Sequence, residues 1–124
     1  MALPTNRPID EFVISGRMAD VAATTPVAWL VSPCKGKIRR AYTVVEGTTN
    51  GAPVLSFAID GATALTDTLT IASGGGAGDV DSVSFSQAES STGILNEGSK
   101  ISVTSDGAGS TTVVANIFIV CERT

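Results

Sequence analysis

The sequence predicts an all-β protein: a single β-sandwich of about eight strands, jelly-roll-like or immunoglobulin-like, with an extended N-terminal arm. Three observations predict it. From residue 11 onward apolar and polar residues alternate at period two in most windows, the pattern of a strand with one face on a core and one in water. Glycine-based turn signals fall between these stretches, at Glu46-Gly47, Asn50-Gly51, Asp60-Gly61, Gly74-Gly75-Gly76, Glu97-Gly98 and Asp106-Gly107, and glycine supplies the positive φ of tight turns. The chain has 124 residues, 43% hydrophobic and 16% charged, which is one domain's length with enough apolar material for a packed core. No window sustains a helical period.

The elements follow in order. Met1-Ala2-Leu3-Pro4-Thr5-Asn6-Arg7-Pro8 carries two prolines, which forbid regular helix and hold the preceding residues extended. The arm is expected over 1–23 and the sandwich over 24–124. Within the arm, Phe12 and Ile14 alternate with Glu11, Val13 and Ser15, and 15–23 has room for one helical turn. Next, Val27, Trp29 and Val31 alternate with Ala28, Leu30 and Ser32. In 37–45, Ile38, Tyr42 and Val44 share a face that Arg40 interrupts, so Arg40 marks an edge, a bulge or an inward charge.

Leu55, Phe57 and Ile59 then define a strand, as do Leu69 with Ile71, Val83 with Phe85, and Ile101 with Val103. Last, Val113, Ala115, Ile117, Ile119 and Cys121 make an unbroken apolar face. Segments 54–61 and 100–107 echo each other, each a strand ending in Asp-Gly, and predict two similar hairpins. Segments 72–80 and 86–98 are expected to be long loops. The aromatics mostly occupy strand positions and are expected in the core.

Charge and residue inventory exclude several functions. There is no histidine, so no Ser-His-Asp or Cys-His machinery and no histidine zinc site. Two cysteines cannot build a Cys₄ zinc site within one chain. The net charge is −4 and the sequence pI is about 4.5, which argues against a nucleic-acid partner. No apolar run approaches the ~18 residues of a membrane-spanning helix, and no secretory signal core opens the chain. The expectation is cytosolic synthesis with Cys34 and Cys121 as reduced thiols. Cys121 continues an apolar face and is expected in the core; spacing alone does not decide whether the two pair.

Charge is also unevenly placed. Arg7, Arg17, Lys35, Lys37, Arg39 and Arg40 lie in the first 40 residues, whereas 41–99 holds no Lys or Arg and carries Glu46, Asp60, Asp67, Asp79, Asp81, Glu89 and Glu97. A basic N-terminal part could dock on an acidic neighbour, another copy included.

Candidate chemical motifs fail on inspection. In 93–100 the order Ser99-Lys100 reverses the Lys-Ser/Thr of a phosphate loop, and a strand follows where a helix is needed. Gly74 to Gly78 reads as a flexible loop. Asp79 and Asp81 open like a calcium loop, but Val83 and Ser84 occupy the next ligand and glycine positions. No spacing singles out an acid pair for glycoside hydrolysis. Lys37, Arg39 and Arg40 form a short basic cluster suited to a solvated or edge strand.

Four stretches together carry a resemblance: Gly36-Lys37-Ile38-Arg39-Arg40-Ala41-Tyr42-Thr43-Val44; Leu55-Ser56-Phe57-Ala58-Ile59-Asp60-Gly61; Leu69-Thr70-Ile71-Ala72 with the glycine loop ending Gly78-Asp79-Val80; and Glu97-Gly98-Ser99-Lys100-Ile101-Ser102-Val103 with the closing strand to Glu122-Arg123. This succession of strands and turns resembles small bacteriophage head-decoration, or capsid-cement, proteins. The resemblance implies a non-enzymatic structural virion protein that stabilises a capsid shell without a cofactor. It implies the major capsid protein as partner, a trimeric homo-oligomer, and a place on the virion surface after assembly in the host cytoplasm. The expected contact residues are Arg7, Phe12 and Arg17 of the arm with Arg39 and Arg40. The alternative is a carbohydrate- or receptor-binding module of a phage fibre, which predicts an exposed Trp29 or Tyr42. A small glycosidase would need a catalytic acid pair that nothing here defines.

Overall fold

The structure, a computed structural model, describes residues 10–61, 64–86 and 93–123. Nine strands follow in chain order: β1 (Glu11–Met18), β2 (Ala28–Val31), β3 (Gly36–Val45), β4 (Val54–Ile59), β5 (Leu69–Thr70), β6 (Val80–Ser84), β7 (Ile94–Leu95), β8 (Lys100–Ser105) and β9 (Ala115–Arg123). Sheet A runs β1-β9-β3-β6, with β7 also on β3, and sheet B runs β2-β8-β4-β5. Leaving out β7, the first strand pairs with the last and the second with the last but one, then β3 with β6 and β4 with β5, all antiparallel. Such nested pairing is one long ribbon wrapped into two facing sheets, the jelly roll. Of the two sandwich types expected, this is the first.

The core lies between the sheets and follows the period-two pattern. Leu55, Phe57 and Ile59 of β4, Ile101 and Val103 of β8, and Ala115, Ile117, Ile119 and Cys121 of β9 all point inward and are buried. Phe57 meets Phe85 edge to face, ring centroids 5.2 Å apart at 81°, the geometry aromatic quadrupoles favour. Burying a side chain of this size contributes roughly 1.5–3 kcal/mol. At one side of the sandwich β1 and β2 approach each other. Gly16 makes that possible, since a Cβ there would sit 2.8 Å from Leu30 Cγ.

Five expectations about the strands are corrected. Residues 11–18, assigned to the arm, form β1 and pair along their whole length with β9. Their inward residues Ile14 and Met18 belong to the core, so the sandwich begins there; residues 1–9 lie outside the described residues. The helical turn over 15–23 is instead strand to Met18 followed by a turn, held where the Asp20 carboxylate accepts the Ala22 N–H at 2.9 Å. That side chain satisfies the backbone locally and removes the need for a helix. The second expected hairpin does not exist: β8 pairs with β4 and β2 in sheet B, while β9 crosses to sheet A. Within 86–98, Ile94 and Leu95 form β7 on Gly36 and Lys37 of β3.

The fifth correction concerns β3. Its register against β9 slips between Ile38 and Arg40, a bulge with Arg39 as the extra residue. A bulge shifts the inside-outside phase by one. Ile38 points inward before it; Ala41, Thr43 and Val45 do so after it. Arg40, Tyr42 and Val44 therefore share the outer face, and Ile38 does not join them.

Candidate interaction surface

The outer face of sheet A brings together most of the residues singled out for partner contact. Cross-strand register builds it row by row: Val13, Val120, Arg40 and Ser84; then Ser15, Phe118, Tyr42 and Ser82; then Arg17, Asn116, Val44 and Val80. An apolar diagonal crosses it, from Val13 on β1, 55% exposed, through Phe118, 37%, and Val44 to Val80 on β6, 58%. The same alternation that buries Ile117 and Ile119 turns Phe118 outward.

Charged straps cross this face over β9. Near one end Arg40 Nη2 of β3 lies 3.6 Å from Glu11 Oε2 of β1, and Arg40 Nε donates to the Tyr42 hydroxyl at 3.1 Å. Val120 lies beneath this strap and is only 9% exposed. Near the other end Arg17 Nε of β1 lies 3.8 Å from Glu46 Oε2, just beyond β3, and Asn116 Nδ2 donates to the same oxygen at 3.0 Å. The polarity of the straps is opposite: acid on β1 and base on β3 at the first, base on β1 and acid after β3 at the second. Arg39 Nε, on the bulge, lies 3.3 Å from Glu122 Oε2. Exposed pairs of this kind contribute little stability, about 0–1 kcal/mol each. Their value is in holding long side chains in fixed positions.

The predicted contact residues thus separate. Arg17, Arg39 and Arg40 lie on this face, each with an acidic neighbour that the sequence did not indicate, because the partnerships depend on strand register. Phe12 is half-buried against the core, where its ring covers Gly36; a Cβ at Gly36 would lie 2.8 Å from Phe12 Cε1 and 2.6 Å from the Glu122 carbonyl. Arg7 lies outside the described residues.

Sheet B offers a different surface. Trp29 is 61% and Val31 58% exposed, with Ala28 and Leu30 buried behind them. The expectation of a core tryptophan fails because the inward phase of β2 belongs to the smaller residues. Lys100 Nζ stands 6.0 Å from the Trp29 ring centroid. Its outward neighbours Ser56, Ala58, Ser102 and Thr104 are small.

A recess of about 160 Å³ opens beside the glycine loop, with Val45 and Ile71 on its floor and Thr49, Asp79 and Asp81 around it. Both carboxylates serve the loop: Asp79 accepts the Gly76 N–H at 3.0 Å and Asp81 the Ala72 N–H at 3.4 Å. Among the described residues no group of three or more His, Cys, Asp or Glu could hold a metal. Both cysteines are free thiols; burial pushes the Cys121 thiol up to about 12, which keeps it protonated. No helix among the described residues is long and apolar enough to cross a membrane.

No protein-family model matches the chain, and no curated protein matches it. Two solved structures share its shape. A chain of the cyanophage Pam1 capsid asymmetric unit aligns over 100% of this chain and 93% of its own, with a TM-score of 0.55 and 12% identity. CBM35 from Cellvibrio japonicus Abf62 aligns over 93% of this chain and 99% of its own, with a TM-score of 0.52 and 11% identity. At such identities the likeness is one of fold: a β-sandwich of this size and layout occurs in a phage capsid and in a CBM35.

Proposed function

We propose that this chain is a structural virion protein that decorates and stabilises a phage capsid shell, binding the major capsid protein without catalysis. The observation that carries this reading is the outer face of sheet A: an exposed apolar diagonal centred on Phe118 among fixed charged straps, suited to adhesion. Contiguous apolar surface rimmed by polar residues marks interaction sites. The phage capsid among the structural neighbours supports the reading. Arg17, Arg39 and Arg40 would contact neighbours through this face, and Arg7 would do so from the arm. Many copies on one shell make modest contacts collectively strong.

The test is co-sedimentation of the purified protein with undecorated icosahedral shells. Removing residues 1–9, while keeping Asp10, whose carbonyl accepts the Arg123 N–H at 2.7 Å, should abolish shell binding and leave the thermal unfolding transition in place. Undiminished decoration by the shortened chain would rule out the arm as the tether.

One observation favours a second reading, a carbohydrate-binding module of a phage fibre. Trp29 is exposed on the small-residue face of sheet B, and a CBM35 is the other structural neighbour. A glycan array separates the two: binding lost in Trp29→Ala supports the module, and an array without signal removes it.

A further inference from the structure

We propose that the outer face of sheet A is covered by a second copy of this chain, related by a two-fold axis lying in the plane between the sheets and running across the strands. The inference rests on the reading of this face as a contact surface and names its occupant, a two-fold copy in place of the trimer that the resemblance implies, with the shell met through the arm.

Charge complementarity selects this occupant. The four strap residues form a rectangle with Glu11 and Arg17 along β1, and Arg40 and Glu46 along and just beyond β3. Acid and base alternate around its corners. A two-fold axis across the strands reverses strand direction and lays each strand over its own counterpart. Glu11 then meets Arg17 of the partner subunit, and Arg40 meets Glu46 of the partner subunit, each contact occurring twice. The midpoint of Glu11 and Arg17 on β1 is Ile14, and that of Arg40 and Glu46 is Thr43. Register places Ile14 beside Ile119 and Thr43 beside Ile117 of β9, so the axis crosses β9 at Phe118. Phe118, 37% exposed, therefore stacks on its own symmetry mate, with Val13, Tyr42 and Val44 around it.

An isologous interface requires this self-complementarity. A two-fold axis parallel to the strands also matches the charges, but it sets β1 over β3 and leaves β6, with Val80, outside the contact. From strand spacings of ~4.8 Å and ~3.3 Å per residue, the four-stranded face measures about 19 Å by 26 Å. Two copies would cover roughly 1,000 Å² in total, the lower edge of a specific interface. The dimer is thus a moderate-affinity one.

Sedimentation equilibrium of the full chain across nanomolar to high micromolar concentration tests this. The expected result is a reversible monomer–dimer equilibrium. Phe118→Asp, which sets two carboxylates together on the axis, should weaken it by about thirtyfold or more, whereas Trp29→Asp on the other sheet should leave it unchanged. Two surface variants keep the test independent of folding. In Arg17→Glu the dimer sets Glu11 against an acid twice, and in Glu11→Arg it sets Arg17 against a base twice, so each alone should dimerise about tenfold more weakly. An equimolar mixture pairs unlike copies and should restore wild-type affinity. An axis parallel to the strands predicts no recovery on mixing, so its absence overturns the proposal. So does a protein that is monomeric at every concentration, whether or not shells protect the face. A dimer that leaves shells undecorated keeps this inference and removes the function proposed above.

Discussion

Thr43 is buried in the middle of β3, and its hydroxyl has no hydrogen-bond partner among the described residues. A buried polar group without a partner costs about 1–3 kcal/mol. Thr43→Val removes the hydroxyl and keeps the branched shape that suits a strand, so it should stabilise the fold by roughly 1 kcal/mol, read as a higher urea midpoint at unchanged slope. Asp60 is the opposite case. It sits at φ 53°, the left-handed region that Asp and Asn tolerate best. Its carboxylate accepts the Lys100 N–H at 2.9 Å and the Ser99 hydroxyl at 2.8 Å. These bonds, the backbone one foremost, hold its pKa below the usual carboxylate range. The same holds for Asp67, which accepts the hydroxyl and the N–H of Ser86. A lowered folded-state pKa adds stability that is complete above the unfolded value near 4 and is lost as pH falls through the folded one. Asp60→Asn keeps the backbone preference but not the charge. It should therefore melt earlier than wild type at pH 7, and the gap should close below pH 4.

Among the elements, β3 shows how far alternation carries and where it stops. The pattern of residues located eight of the nine strands because apolar residues alternate with polar ones in or beside each, as Leu69 and Ile71 do around the two-residue β5. It did not find β7, since Ile94 and Leu95 are adjacent and show no alternation. It misplaced the inward face of β3, because a bulge is a backbone event that leaves the alternation looking continuous until the partner strand is known. It treated β1 as part of an arm, although Phe12 and Ile14 already alternate, because the neighbouring prolines suggested an unpaired chain. The interaction face was half legible: Arg17, Arg39 and Arg40 stood out as charges, while Glu11, Glu46 and Glu122 became their partners only through register. Changing the length of β3 tests its inside-outside phase directly. Inserting one alanine between Tyr42 and Thr43 would turn Thr43 and Val45 outward, and the variant should fail to fold, seen as loss of the cooperative thermal transition. Deleting Arg39 removes the extra residue, leaves every other side chain of β3 on its present face, and should preserve that transition.

At the scale of the whole molecule, nesting first strand with last makes β9 the hinge of stability. It lies between β1 and β3 in sheet A and contributes Ala115, Ile117, Ile119 and Cys121 to the core. Until the end of the chain arrives, β1 has no partner in its sheet and β3 lacks its longest pairing. Folding therefore depends on contacts about a hundred residues apart, which makes it slow relative to a helical protein of equal size. The same wrapping divides the surface in two: sheet A presents charge straps crossed by an apolar diagonal, and sheet B presents small residues beside one large aromatic.

That aromatic is the chain's single tryptophan, and it stands outside the core. Its emission is consequently that of a water-exposed indole in the native state, open to an aqueous quencher such as acrylamide, and unfolding will change its colour little. Fluorescence in this molecule is a local reporter of whatever settles on β2 and Lys100. A blue shift on adding a sugar or a shell would place that ligand on sheet B, while a dimer formed through Phe118 would leave the spectrum where it was.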